Sequence, residues 1–450
     1  MAKFKPINLL QFTATTPTPI NLGPVSISLL LDPASYAWTW SAFNYSTGLG
    51  NNTNTASSPV SVFGTRWRQL TGSQSNGTNT VMAGLDINGY AWTWGFGTYG
   101  QLGDGTNVSK SSPASVLGGR QWLSIVANQT LTVALDLNSY AWMWGYDSIS
   151  YQSSPVSVAG NRQFIKILGG GADLTTTIAL DSNSYAWTWG SASVGFTAGY
   201  FFGALGNNST TATSSPVSVL GNHQWKSIVG GMYGSAYTHE TFYGIDLNSY
   251  IWTWGAGVFG QLGNGTTMPG GVSSPVSVVG NRQFSKICSP PWNGNVYALD
   301  LNSYAWTWGG ANNVGQMGNN TTTATAIYVS SPVSIFGGRQ FTNIVAGYND
   351  ERWGVMSGSI LWAWGNGAGL GNNTTQHQSS PMSIMSMAGI DFSTIVSSRQ
   401  GSIMLPVPTL SQLWTWGNNN GDGTNNIPRS SPISINTTYL NKALPSSIYG

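Results

Sequence analysis

The chain of 450 residues holds 16 Lys and Arg against 14 Asp and Glu, a formal charge of +2, and so has no electrostatic footprint for nucleic acid. Charged residues are 7% of the chain, against about 25% in ordinary soluble proteins, and Gly, Asn, Ser and Thr fill the polar positions instead. Cys288 is the single cysteine, which excludes an intrachain disulfide, no Cys/His cluster has zinc spacing, and no apolar run reaches the about 18 residues of a membrane-spanning helix.

Residues 1–23 match nothing downstream. They mix Phe4, Ile7, Leu9, Leu10 and Phe12 with Pro6, Pro17 and Pro19 and few charges, a composition that cannot form a core alone. They read as an extended arm that docks on a neighbouring subunit or particle protein. The two lysines at the start precede an apolar run broken by Asn8, Gln11 and Thr13, a poor secretion signal.

Residues 24–450 are organised by a Trp-x-Trp pair, first at Trp38 and Trp40 and then beginning at Trp92, Trp142, Trp187, Trp252, Trp306, Trp362 and Trp414. The eight copies recur every 45 to 65 residues, too long for a helical pair and right for one propeller blade. On a strand the indoles share one face and the small residues between them the other. A bulky face packed on a neighbour's small face, repeated about an axis, makes the pair an inter-blade packing device.

The sixth unit shows the pattern. Phe284 to Ile287 starts a first strand, Val296 to Leu299 a second, Asp300 to Ser303 a turn, Tyr304 to Trp308 a third, and Ser330 to Ile335 a fourth entered through Pro332. Proline donates no ladder hydrogen bond, so this strand suits an outer edge. Ser-Ser-Pro also recurs eight times, from Pro59 to Pro432. The expected fold is all-β, a single propeller of eight four-stranded blades, with seven blades plus an irregular unit as the alternative. The first unit lacks its own first strand, and Leu440 and Ala443 are spaced to supply it, closing the ring.

In such a meander the loops after strands two and four share one face of the ring. That face carries the turn acids Asp86, Asp136, Asp181, Asp246 and Asp300 and the corner residues Arg120, Arg162, Arg282 and Arg339, expected to fix turns and pair with one another. The opposite face gathers the irregularity: Tyr200, Phe201 and Phe202; Tyr233, Tyr237, His239 and Glu240; Trp292; and Tyr348, Arg352 and Trp353. Aromatic and charged residues outside a repeat are the candidate partner-binding residues.

Two Gly-x-Gly-x-x-Gly matches, Gly95 to Gly100 and Gly255 to Gly260, lead into loops and offer no helix N-terminus to a pyrophosphate. The acids are spent on turns and the three histidines are scattered, so no catalytic constellation, cofactor site or metal site is expected.

Gly100-Gln101-Leu102-Gly103 and Gly260-Gln261-Leu262-Gly263, with Gly315-Gln316-Met317-Gly318 close behind, follow an aromatic-x-Trp-Gly strand. This resembles the regulator of chromosome condensation repeat family, over about residues 24 to 450. The resemblance implies a β-propeller, usually seven-bladed, whose members serve as exchange factors, inhibitors or binding modules. The charge-poor composition without an export signal suggests a non-enzymatic, phage-like component of a virion or other extracellular surface, present in several copies and bound to other surface proteins or a host glycan; the alternative is a free lectin-like or inhibitor-like module.

Overall fold

A computed structural model describes residues 18–19, 28–31, 35–41, 49–53, 56–64, 66–73, 80–169, 176–192, 203–233, 239–289, 294–323, 328–347, 351–355, 360–385, 392–397, 401–406, 413–417 and 429–435. Among them lie eight antiparallel four-stranded sheets, each with its strands in chain order. They fall at residues 18–61, 67–115, 122–157, 164–218, 225–277, 284–334, 343–385 and 392–435. The sixth consists of Phe284–Cys288, Asn295–Asp300, Ala305–Gly309 and Val329–Ser334, close to the strands expected from its sequence.

First strands pack against the first and second strands of the sheet before. The sheets therefore fan out from an axis as propeller blades, with the Ser-Ser-Pro strands at the rim, where a missing proline N–H costs nothing. The hairpin between second and third strands turns through a residue in the left-handed region, Gly89 (φ 87°) in the second sheet and Ser139 (φ 67°) in the third. The corner leading to the next sheet uses two such residues in succession, as at Gly160 (φ 100°) and Asn161 (φ 48°), which explains the recurrent Gly-Asn and Gly-Gly pairs.

The first sheet differs from expectation. Its first strand is Thr18–Pro19, paired with Leu31 and Leu30, so the place assigned to residues near Leu440 is held by chain just upstream. A nearby segment closes a short loop and loses less entropy than one hundreds of residues away. The sheet thus reaches into the stretch read as an arm. Residues 436–450 lie outside the described residues.

The second indole of each pair is the packing device. Trp144 lies against Val81, Ala83, Leu85 and Leu102 of the preceding sheet, and Trp94, Trp144, Trp189, Trp254, Trp308, Trp364 and Trp416 are fully buried. Four of them hydrogen-bond to the glycine-rich loop that follows the third strand of the sheet before. Trp254 Nε1 donates to the Ala204 carbonyl at 3.0 Å, Trp308 to Gln261 at 3.0 Å, Trp364 to Gln316 at 3.1 Å and Trp416 to Gly369 at 2.9 Å. The threonine between the indoles faces the other way and ties down its own sheet's loop, Thr188 to Leu205 O at 2.6 Å and Thr253 to Leu262 O at 2.8 Å. Each loop is thus pinned from both sides.

Candidate functional site

The two ends of the sheets differ in chemistry. On the end with the Asp hairpins, Asp136 Oδ1 accepts the N–H groups of Asn138 (2.9 Å) and Tyr140 (3.0 Å) while Oδ2 accepts Trp142 Nε1 (3.0 Å). Asp86, Asp181 and Asp300 repeat all three bonds. The Arg120 guanidinium lies 3.6 Å from Asp136 Oδ2 and 3.7 Å above the Trp142 ring, and Arg162 and Arg282 do the same over Trp187 and Trp306. Gln121 Nε2 reaches back to the Asn88 carbonyl of the preceding hairpin at 2.8 Å, as Gln163, Gln224, Gln283 and Gln340 do in turn. These charges are committed to structure, as the sequence led us to expect.

Two positions depart from the pattern. His223 stands where the other corners have Arg and lies 4.0 Å from the Trp252 ring. Its partial burial lowers its pKa, outweighing the upward pull of Asp246. Arg68, in the first strand of the second sheet, donates to the Trp122 carbonyl, and burial lowers its pKa against the pull of Asp86.

At the opposite end, the second and third sheets bring three tyrosines together. Tyr146 and Tyr151 are cross-strand neighbours in the third sheet, stacked at 4.5 Å with 20° between their planes. Tyr99, from the loop of the second sheet, lies 6.2 Å from Tyr146 and 6.1 Å from Tyr151 and meets Phe96 edge-on at 5.8 Å. Tyr151 is 61% exposed and Ile149 55% exposed. The nearby charges Lys110 and Asp104 pair at 3.4 Å. This platform is uncharged, aromatic and fringed with hydroxyls, suited to stacking on a neutral ring or an aliphatic face. Sequence reasoning missed it because Tyr99 precedes a regular Gly-Gln-Leu-Gly loop; the signal available was the short stretch Tyr146 to Tyr151, which omits that loop.

The expected binding residues divide into three groups. Tyr200, Phe201, Phe202, Tyr237, Trp292 and Tyr348 lie outside the described residues, as do Phe4, Ile7, Leu9, Leu10 and Phe12 of the arm. Tyr233 and His239 are paired across the end of a long hairpin, Trp225–Tyr233 with His239–Asp246, rather than held in a loop. Glu240 is fully buried, which removes it from any contact surface. Arg352 and Trp353 also lie in a strand, Glu351–Val355, paired on both sides. The long hairpin extends the ladder past the repeat and absorbs Tyr233 and His239, whereas Arg352 and Trp353 occupy the regular second strand of the seventh sheet, at the register of Val296 and Tyr297 in the sixth.

The Asp end has its own unpredicted feature. Ile87, Leu137, Leu247 and Leu301, each following a turn acid, are about half exposed. Among the described residues no three His, Cys, Asp or Glu side chains converge as a metal site, and no helix is long and apolar enough to cross a membrane.

The model of the regulator of chromosome condensation (RCC1) repeat matches residues 88–135 and 249–289. The solved structure of Prp20p from Saccharomyces cerevisiae covers 86% of this chain and 93% of its own, with a TM-score of 0.58 at 17% identity. Human WBSCR16 covers 81% and 96%, with a TM-score of 0.56 at 14% identity. The chain is a β-propeller that carries RCC1 repeats at residues 88–135 and 249–289. Human E3 ubiquitin-protein ligase HERC2 is 26% identical over 174 residues, which are 37% of this chain but 4% of that protein. Both matches begin at the Asp hairpin of one sheet; the first ends in the second strand of the next sheet and the second just past the next sheet's first strand, so each straddles two sheets.

Proposed function

We propose that this RCC1-repeat propeller is a non-catalytic binding module of a virion or other extracellular surface, present in several copies, which attaches its carrier through the irregular end. The observation that carries the reading is the platform of exposed Tyr151 on half-buried Tyr99 and Tyr146, in a chain with 7% charged residues. Stacking and hydroxyl contacts serve recognition where charge is scarce. Solved relatives of the same fold are described as binding proteins, Prp20p to Gsp1p and histones, and Kap60 is seen bound to yeast RCC1 (Prp20). A basic partner such as a histone does not suit a surface whose acids are held in hairpins and ion pairs, so a neutral glycan or a polar protein surface is the better match.

Residues 1–17, upstream of the Thr18–Pro19 strand, serve in this reading as the tether to a neighbouring protein of the assembly. Density-gradient fractionation of the native source tests the setting: the protein should travel with particles or envelope. Recovery solely as a free monomer would overturn that setting and favour the lectin-like or inhibitor-like module.

A further inference from the structure

The third sheet lacks the Gly-x-Leu-Gly loop: its third and fourth strands, Ala141–Tyr146 and Tyr151–Ser157, join by a tight hairpin. The residues around the hairpin have changed to match. Met143 stands where the second, fourth and fifth sheets carry a threonine that ties the loop down, and Asp147 stands in the place of Gly97 in the second sheet. A Cβ at Gly97 would lie 3.0 Å from Leu102 Cδ1, a side chain of that loop. By the same geometry, the Asp147 side chain projects into the volume the loop fills elsewhere.

The fourth sheet still presents the groups that such a loop satisfies. Trp189, equivalent to Trp254, Trp308 and Trp364, has its indole N–H buried with no acceptor. Thr177 pairs with Trp189 as Thr132 pairs with Trp144, and Thr132 Oγ1 donates to the Gln101 carbonyl of the preceding loop at 2.8 Å. Thr177 Oγ1 is buried and unpartnered. Asp147 is 2% exposed; its Oδ1 accepts the N–H groups of Ile149 (2.9 Å) and Ser150 (2.7 Å), but its Oδ2 has no partner. By correspondence with the second and third sheets, where Thr132 reaches the Gln101 carbonyl, these three unpartnered atoms face the volume that the loop fills elsewhere.

We infer that this place is a binding site for a single internal water molecule, which stands in for the missing loop carbonyl. The complement is an N–H donor, a hydroxyl that gives or takes, and a carboxylate acceptor. A water accepts from Trp189 Nε1, donates to Asp147 Oδ2 and exchanges a bond with Thr177 Oγ1, the three-bond arrangement usual for buried water. The indole N–H disfavours a cation, and the carboxylate disfavours an anion. Buried polar groups left unpaired cost more than a hydrogen bond returns, which favours retention of the water.

A crystal structure of the full chain at a resolution that shows solvent tests this. The expected result is one solvent peak within hydrogen-bonding distance of Asp147 Oδ2, Thr177 Oγ1 and Trp189 Nε1. A direct bond from Trp189 Nε1 to Asp147 with no such peak overturns the site. In solution, Thr177→Val and Trp189→Phe should each lower Tm by at least roughly 2 °C, and the double variant should lose less than the sum, since both break one bridge. Strictly additive losses count against the shared water.

Discussion

Trp308 of the sixth sheet donates its indole N–H to the Gln261 carbonyl of the fifth at 3.0 Å, directly beside Gly263, whose φ is +64°. A Cβ at Gly263 would sit 2.7 Å from that indole nitrogen, so the loop, the indole and the glycine are one joint. The same joint recurs where Gly206 meets Trp254, Gly318 meets Trp364 and Gly371 meets Trp416. Successive sheets are therefore coupled by a buried hydrogen bond as well as by apolar packing.

Gly263→Ala should destabilise the protein by about 2–3 kcal/mol, from the left-handed backbone and the clash together. Gly119→Ala, also left-handed but with nothing within 4 Å, should cost about 1 kcal/mol. Urea midpoints of the two variants separate the terms, and equal losses would show that the indole contact contributes nothing.

The Asp hairpins make a second comparison. Asp300 accepts from the Asn302 and Tyr304 backbone and from Trp306 Nε1, whereas Arg282 is partly exposed and lies 3.4 Å over the Trp306 ring. Asp300→Ala should cost about 2–3 kcal/mol by leaving those donors unpaired, and Arg282→Ala about 0.5–1 kcal/mol. Equilibrium unfolding measures both, and the reverse order would contradict the view that the carboxylate organises the hairpin.

His223 gives a pH dependence with a definite sign. Its pKa is lowered in the folded protein, chiefly by burial and against the pull of Asp246, so folding favours the neutral imidazole. The associated stability is present above the unfolded value, about 6.5, and is lost as pH falls through that value toward the lower folded one. His223→Arg restores the residue found at the other corners and removes this titration. The fall in Tm between about pH 7.5 and about pH 5.5 should be smaller in the variant; an unchanged pH profile would exclude His223 as its source.

Much of this architecture was legible in the sequence because repetition makes it so. A Trp pair and a Ser-Ser-Pro edge recurring eight times, with a turn acid in six of the units, fix strand order and blade size, and the pairing of corner arginines with turn acids follows from their joint recurrence. What repetition does not encode was harder to read. Tyr233 and His239 lie in strands because ladder pairing runs on past the repeat boundary, and Arg352 and Trp353 form a regular second strand whose residues lack the apolar pattern of the other sheets. Thr18–Pro19 fills the first strand of the first sheet without any of the repeat's marks. The tyrosine platform arises from one loop meeting one shortened hairpin, a proximity that no single stretch of sequence displays.

The tether reading makes its own prediction. Removing residues 1–16 while keeping the Thr18–Pro19 strand should leave Tm unchanged and reduce incorporation into the particle or envelope fraction. Normal incorporation would remove the arm from the account.

Attachment through the irregular end is tested most directly by co-sedimentation with particles and envelope prepared from the native source. Three proteins are compared: the unaltered chain, Tyr99→Ala/Tyr151→Ala, and Leu137→Asp/Leu301→Asp on the opposite end, each first shown to be folded by its melting curve. The expected result is binding by the unaltered chain, an affinity roughly tenfold or more weaker, about 1.4 kcal/mol, for the tyrosine variant, and no change for the leucine variant. Undiminished binding by the tyrosine variant with loss in the leucine variant would contradict the assignment and move the contact to the Asp-hairpin end.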